Sequence, residues 1–489
     1  MGYIEGLSRE QITLFPDSID EYIDEENSVR IIEAYVERLN FTALNFTKAT
    51  PSDTGRPPYS PQDMMKLYIY GYMNRIRSSR RLEKETKRNI EVMWLLKKLT
   101  PDHKAIARFR SENAEALKSV FRDFVKLCLS LGLYGRELAA IDGSKFKAVN
   151  SIDRNLSITE LNERIKRLTA RIDEYLNQLN DTDAAEAGND DISTSDGIKQ
   201  IIDKLSNRKN IYEAYLEELA TSGETQKSLT DPDARLMKDA KGFDVSYNVQ
   251  MSVDSKNKLI AEFNVSNDGN DMKQLFVMAT ATAEILGSPN IIASADTGYN
   301  NPSEIVKCIE SGITPQVSGS EGTMCIPCPE HEAKTIESHE NGKAVYIKER
   351  NIVICPMGNI LFPKHYKNSC RTAVYYNYTA CNNCTQRCTK VKYRQFAVRM
   401  KKSDFTKKYN IEGLYIKQIY IKPDPEITAR RKELAEHPFG TLKRAMDAGY
   451  LLTKGLKNAT GEFSLAFLTY NLKRVINIMG VKNLIAAMA

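Results

Sequence analysis

No apolar run in this 489-residue chain is long enough to cross a bilayer. The best candidate, FSLAFLTYNLKRVINIMG near the C-terminus, is broken by Asn471, Lys473, Arg474 and Asn477. The N-terminal stretch MGYIEGLSREQITLFPDSIDEYIDEEN lacks a basic start and an apolar core, so no secretory signal is expected and a cytoplasmic location is. A strong excess of one charge is also missing, the formal net charge being +6. Histidine is scarce, with five in the chain, and none stands beside the two aspartates discussed below; a catalytic triad is not suggested. What remains is an ordinary soluble composition, 42% hydrophobic and 27% charged, in a chain long enough for two to four compact units.

Charge is unevenly spread. The first fifty residues are acidic, whereas NRIRSSRRLEKETKR (74–88) and KVKYRQFAVRMKK (390–402) are strongly basic. Local basic clusters suit a polyanion, although solvated charged faces also occur without a partner. Residues 60–135 read as helical. Ser60 is placed as an N-cap, Pro61 falls in the first turn, and Met64, Leu67, Tyr68 and Tyr72 share one face. Between 159 and 220, Leu161, Ile165, Leu168, Ile172, Tyr175 and Leu179 form one coiled-coil seam, and Ile198, Ile202, Leu205, Tyr212 and Leu219 another. The acidic tract DTDAAEAGNDDISTSDG between them reads as a flexible linker, so an antiparallel helical hairpin is expected.

Around this hairpin the pattern is of strands. AAIDGSKFKA (139–148) is an apolar run ending in Asp142, and IIASADTGYN (291–300) repeats that form with Asp296. With GFDVSYNVQMSVD, KLIAEFNVSN and ITPQVSG as further strands, and DMKQLFVMATATAEIL and NPSEIVKCIESG as helices, the order is β, helical insert, β, β, α, β, α, β. That is the order of an RNase H-like mixed sheet with flanking helices.

A single aspartate at a strand end is usually a turn former or a cap. Two on strands that can lie side by side repel one another unless a proton or a cation intervenes. Mg²⁺ needs few carboxylates because it keeps several waters, and such a pair with one more acid suffices for two-metal phosphoryl transfer. ARRKELAEHPFGTLKRAMDAGY (429–450) offers Glu433 and Glu436. Glu436 flanks a buried stripe of Ala435, Phe439, Leu442 and Met446, and Lys443 lies two turns along the same side. Pro438 suggests that the regular helix begins there. An exposed Glu and Lys on an amphipathic helix would give the same pattern.

Asp142 in IDGSKFKA, then TDPDARLM, GFDVSYNVQ, SNDGNDMKQL, ADTGY and EHPFGTLK, occur in an order that resembles bacterial insertion-sequence transposases with a DDE catalytic domain, closest to insertion sequence family 1182. The resemblance covers nearly the whole chain, including YSPQDMMKLYIYGYMNRIRSSRRLE and the C-terminal FSLAFLTYNLKRVINIMG. It implies that Asp142, Asp296 and Glu436 are catalytic and hold Mg²⁺ or Mn²⁺. It further implies that the chain cleaves element ends at terminal inverted repeats and joins them to target DNA, as a homodimer on double-stranded DNA. Related enzymes carry a Tyr-Arg-Glu-Lys signature; Lys443 is kept here, but Lys432 and Ala429 stand at the Arg and Tyr positions, with Arg431 a candidate substitute. Glu462 is the runner-up third acid. Expected DNA contacts are Arg75, Arg77, Arg80, Arg81, Lys145, Arg431 and Lys443. The expected division is a helical DNA-binding domain (1–135), the first catalytic strand (136–158), a coiled-coil insertion (159–228), the continued catalytic core (229–320), a Cys-rich β insertion (321–425), and the catalytic and C-terminal helices (426–489). The rivals are an RNase H-like nuclease without strand transfer, a non-catalytic transposase-derived DNA-binding protein, and a scaffold organised by the hairpin.

Cys355 with Cys381, Cys384 and Cys388 supplies four thiols, three closely spaced, in a chain expected to be in a reducing compartment; that set suits structural zinc better than disulfides. Cys325 and Cys328 form a possible half-site with His331 and His339, and Cys128, Cys308 and Cys370 read as core or incidental. His437 reads as structural or surface.

Overall fold

The computed structural model describes residues 18–50, 57–185, 192–239, 242–327, 333–337, 343–384, 387–411 and 416–488. Among the described residues a short 3-10 turn, Ile19–Tyr22, is followed by six α-helices: α1 (Ser28–Glu37), α2 (Pro61–Met73), α3 (Ser79–Arg88), α4 (Ile90–Leu95), α5 (His103–Glu112) and α6 (Ala114–Ser130). Local chemistry sets their starts. The Ser60 hydroxyl accepts from the Gln62 N–H, with Pro61 in the first turn of α2, and Asn89 and Asp102 cap α4 and α5. The sequence suggests one apolar face for α2. Instead the helix is buried on almost every side, because α1, α4, α5 and a C-terminal helix surround it. Lys66 is buried with it, its charge met by Glu33 at 2.7 Å.

β1 (Leu138–Lys147) opens the central sheet. It is followed by β2 (Asn155–Ser157), the long helices α7 (Ile158–Ala185) and α8 (Ile192–Ser222), and β3 (Gln226–Ser228), which pairs with β2 at the hairpin base. Leu156, Leu161 and Leu219 form a small core there with Tyr212. Farther out Ile165, Ile172, Ile198 and Ile202 are half-buried, as expected of a two-helix pair. Both helices run into the acidic tract, so its two ends are helical rather than linker.

The sheet continues with β4 (Arg235–Asp239), β5 (Gly242–Asp254), β6 (Ile260–Ser266), α9 (Leu275–Leu286), β7 (Ile292–Ala295), α10 (Pro302–Glu310) and β8 (Thr314–Val317). The strand order is β6-β5-β1-β7-β8, with β5 antiparallel to β1 and β6, and β1, β7 and β8 parallel. β4 is an addition to the expected order. β6 covers β5 only from Asn248 to Val253, and β4 pairs with the remaining edge from Gly242 to Ser246, where backbone groups would otherwise lack partners. The polar residues of β5, Ser246, Asn248, Gln250, Ser252 and Asp254, are as buried as its apolar ones, so this strand is covered on both faces.

A β-rich region follows: β9 (Gly322–Pro327), β10 (Ala333–Glu337), β11 (Lys343–Ile347), β12 (Ile352–Ile354), β13 (Ile360–Lys367), β14 (Thr372–Tyr376), α11 (Tyr378–Asn382), β15 (Phe396–Arg399), α12 (Lys402–Phe405) and β16 (Ile416–Ile421). β10 to β15 form an antiparallel sheet with its own core of Tyr346, Val353, Leu361, Tyr375 and Phe396, and β9 pairs with β16. Three helices end the chain: α13 (Pro425–Gly440), α14 (Leu456–Met479) and α15 (Val481–Met488).

Pro438 does not begin a helix. α13 starts at Pro425 under an Asp424 cap and runs through the buried Pro438, which removes one i→i−4 bond from its last turns; a π-helical turn, Thr441–Ala445, comes next. The apolar run of α14 is internal, packed against α6, α2 and β6. Its Asn471 amide bonds both the N–H and the C=O of Ile260 on β6, each at 2.8 Å. One hydrophobic core therefore runs from the first helices through α14 to the sheet. Among the described residues no helix is long and apolar enough to cross a membrane.

Candidate active site

Parallel pairing sets Leu138 of β1 opposite Ile292 of β7, and Ala140 opposite Ser294. Asp142 lies two residues farther along β1, which continues to Lys147, and Asp296 directly follows β7, capping the next turn by accepting from the Gly298 N–H at 2.8 Å; Asp142 lies close enough to feel its charge. Asp142 accepts from the Gly143 N–H at 2.9 Å. Burial pushes the Asp142 carboxyl up to about 6 against the opposing pull of Arg431 and that N–H, and the charges of Asp296 and Asp271 push the same way.

Helix α13 covers the same sheet face. Its Leu434 and Ala435 pack on Leu138 and Ala140 of β1. One turn earlier, Arg431 extends to place Nη1 4.0 Å from the Asp142 Oδ2, while its buried Nε has no hydrogen-bond partner. In the π-helical turn, Lys443 donates from Nζ to the Ser144 Oγ at 2.6 Å and to the Lys145 carbonyl at 3.2 Å, above the Phe146 ring.

The three candidate glutamates differ in their engagement. Glu433 is paired with Lys258, and Glu462 is buried with Arg77. Glu436 is exposed on α13 and has no hydrogen bond or ion pair among the described residues. His437 places Nδ1 3.3 Å from the Tyr470 hydroxyl, a structural contact.

One acidic residue at the site was missed. Asp271, in the turn between β6 and α9, accepts from Asn248 Nδ2 at 2.7 Å and Gln250 Nε2 at 2.6 Å, with Lys145 Nζ at 3.4 Å. The available signal was the acidic, turn-forming run NDGND at the end of a strand. TDPDARLM also has a position now. Asp231 accepts from the Tyr247 hydroxyl and the Gly455 N–H, and Asp233 from the Leu456 N–H, tying β5 to the start of α14.

The expected basic contacts separate. Arg75, Arg80 and Arg81 are exposed and have no ion pair among the described residues. Arg77 is a correction. At 4% exposure it pairs with Glu462 at 3.1 Å, donates to the Tyr450 carbonyl and lies over the Tyr450 ring. The need to neutralise a buried glutamate holds it in the core. Lys145 is turned to Asp271, and Arg431 and Lys443 flank the Asp142 strand. In the second basic segment Arg394 is likewise buried, donating to the Cys388 carbonyl.

Cys355, Cys381, Cys384 and Cys388 line one small cavity with Asn359 and Arg394. Cys355 begins a tight turn closed by Gly358 at φ +79°, and the N–H of Asn359 donates to its sulfur at 3.3 Å. Burial pushes this thiol up, while the N–H groups of Asn359 and Met357 oppose that. The donor set suits a thiolate metal ligand. Cys128 and Cys308 are buried and Cys370 is exposed, all as free thiols. The Cys328, His331 and His339 positions lie outside the described residues. Among the described residues no group of three or more His, Cys, Asp or Glu is placed to hold a metal ion.

A mixed sheet whose central parallel strands bring two aspartates together is compatible with the DDE transposase fold. Family comparison points the same way. Residues 17–112 match the family described as Transposase domain (DUF772), and residues 354–476 match the family described as Transposase DDE domain. The two matches support a DDE-type transposase. The second contains Glu436, Lys443 and the four clustered cysteines, whereas Asp142 and Asp296 lie outside both. No curated protein and no solved structure matches the chain significantly.

Proposed function

We propose that this chain is the transposase of a bacterial insertion sequence, of the kind grouped in insertion sequence family 1182, and that it cuts and joins DNA on an RNase H-like sheet. The observation that carries this reading is the placement of Asp142 on β1 and Asp296 just past the parallel neighbour β7, with Arg431 4.0 Å from Asp142 and its buried Nε without a partner. Two acids suit a divalent metal, and an arginine beside them suits a phosphodiester. Asp142, Asp296 and Glu436 would hold Mg²⁺ or Mn²⁺, which when bound activates water and stabilises charge on phosphoryl oxygens. Of the three glutamates considered, Glu436 alone has no competing partner among the described residues.

The remaining residues position DNA. Arg431 meets a phosphate oxygen with the fork geometry that suits it, and Lys443 places a second charge by the Asp142 strand. Arg75, Arg80 and Arg81 contact backbone phosphates of the terminal inverted repeats. In cleavage, a water oxygen bonds to phosphorus, the 3′-oxygen leaves and takes up a proton, and the water's proton passes to solvent. In joining, the freed 3′-hydroxyl attacks a target phosphodiester, expelling the target's 3′-oxygen. Both are in-line displacements, so one site serves both. The four cysteines would hold a structural zinc ion outside this chemistry. Two ends must meet in one reaction, which favours a homodimer on DNA.

The test is joining of pre-cleaved element ends to plasmid DNA with Mg²⁺ or Mn²⁺. Wild-type protein yields joined product; Asp142→Asn, Asp296→Asn and Glu436→Gln each lower the yield roughly a thousandfold while binding the same ends. Cutting without joining would reduce the protein to a nuclease, and full activity in the two aspartate variants would refute the site.

A further inference from the structure

We propose that Asp271 is a positioning residue for the cation held by Asp142 and Asp296, accepting hydrogen bonds from water in that cation's outer shell. This rests on the reading above of Asp142 and Asp296 as metal ligands. The two Asp271 oxygens have different surroundings. Oδ1 is committed to Asn248, Gln250 and Lys145. Asn248 and Gln250 are fully buried, and Gln250 accepts in turn from the buried Tyr299 hydroxyl. Their rotation is therefore restricted, and Asp271 inherits that order.

Two glycines show where the two oxygens face. Gly143 directly follows Asp142; a Cβ there would lie 2.3 Å from Gln250 Nε2 and 2.9 Å from Asp271 Oδ1. Gly298 lies two residues after Asp296; a Cβ there would be 3.0 Å from Asp296 Oδ1 and 3.8 Å from Asp271 Oδ2. The lack of a side chain at Gly298 thus leaves room between Asp296 and Asp271 Oδ2, whereas Gly143 makes room for Gln250 and the committed Oδ1. Across the strand pair, Gly143 faces Gln250 whereas Asp142 faces Met251, so Asp271 approaches from the side opposite Asp142. That placement suits contact through water rather than direct ligation. Mg²⁺ usually keeps several waters, and the carboxylates that orient such a shell influence metal affinity.

Mn²⁺ affinity of the full chain, measured calorimetrically without DNA, tests this apart from activity. Asp142→Asn and Asp296→Asn are expected to abolish measurable binding, and Asp271→Asn to weaken it about 10- to 100-fold. Wild-type affinity in Asp271→Asn, with the other two impaired, overturns the proposal and leaves the reading of the site intact. Wild-type affinity in all three overturns that reading and the proposal with it. Complete loss in Asp271→Asn makes it a direct ligand and overturns the positioning role. Should Asp271→Asn not fold, Asn248→Ala decides: it removes one anchor of Oδ1 and is expected to weaken Mn²⁺ at least about threefold, and unchanged affinity overturns the proposal.

Discussion

Arg431 on α13 brings its guanidinium to 4.0 Å from the Asp142 carboxylate on β1, 289 positions earlier in the chain. The arginine offsets the burial of Asp142 only in part, since the carboxyl still rests at about 6. The folded state therefore binds this proton more tightly than the unfolded chain. Between the ordinary carboxylate range and pH 6 the folded state holds the extra proton, so stability falls as pH rises through that window. In EDTA at pH 7.5, Asp142→Asn is expected to be more stable than wild type by about 1–3 kcal/mol. Below about pH 4 the difference should vanish, because both states are then protonated. Denaturant melts across pH check it; a difference that grows on acidification contradicts it.

Arg77 and Glu462 form the opposite kind of pair, one that stabilises rather than acts. Both are buried, and Glu462 also accepts from the Leu452 N–H and the Thr453 hydroxyl. Arg77→Ala leaves a buried carboxylate without its cation and should cost about 3–5 kcal/mol. The double replacement Arg77→Met with Glu462→Leu should cost distinctly less. Chemical denaturation of the three variants measures both quantities.

Arg75, Arg80 and Arg81 are expected to act on affinity alone. Each alanine substitution should weaken binding of end DNA about equally across sequences and reduce the slope of log affinity against log salt by about one. Fluorescence anisotropy at several salt concentrations gives that slope, and a variant with an unchanged slope makes no phosphate contact. Thermal stability should shift by less than about 0.5 kcal/mol for each.

The cysteine cavity predicts a separable metal effect. A strong zinc chelator should lower the melting temperature of wild type but not of Cys355→Ser or Cys384→Ser, which begin destabilised. One zinc per chain by metal analysis is the accompanying expectation. Equal melting with and without chelator would leave the four thiols as unligated side chains of the β-rich region.

Much of the fold is legible locally. Ser60 and Pro61 mark the start of α2, the paired seams mark α7 and α8, and β5–β6 and β7–β8 pair as successive strands, whereas the central β1 pairs with β5 and β7 from far along the chain. β4 escaped because its reason for existing is an open half of β5, which no local pattern reveals. Pro438 misled because proline favours the first turn of a helix, whereas here it lies inside α13, buried with Leu434, Ala435 and Phe439, and packing overrides its local cost.

The site divides along the same line. Asp142 and Asp296 are readable because a carboxylate set against an apolar run is locally anomalous, although only Asp296 stands at a strand end: β1 continues past Asp142 to Lys147, paired with β5 throughout. Arg75 and Arg77 are two residues apart in one basic stretch, and nothing nearby distinguishes them; one is exposed and the other neutralises a glutamate 385 positions away. Asp271 is likewise an ordinary turn residue until packing brings Asn248, Gln250 and Lys145 around it. Secondary structure and the two acids beside apolar runs follow from interactions spanning a few residues, which the order of amino acids states directly. Which charge is buried, which meets solvent and which faces the site depends on contacts between distant segments, and those exist only once the chain has packed.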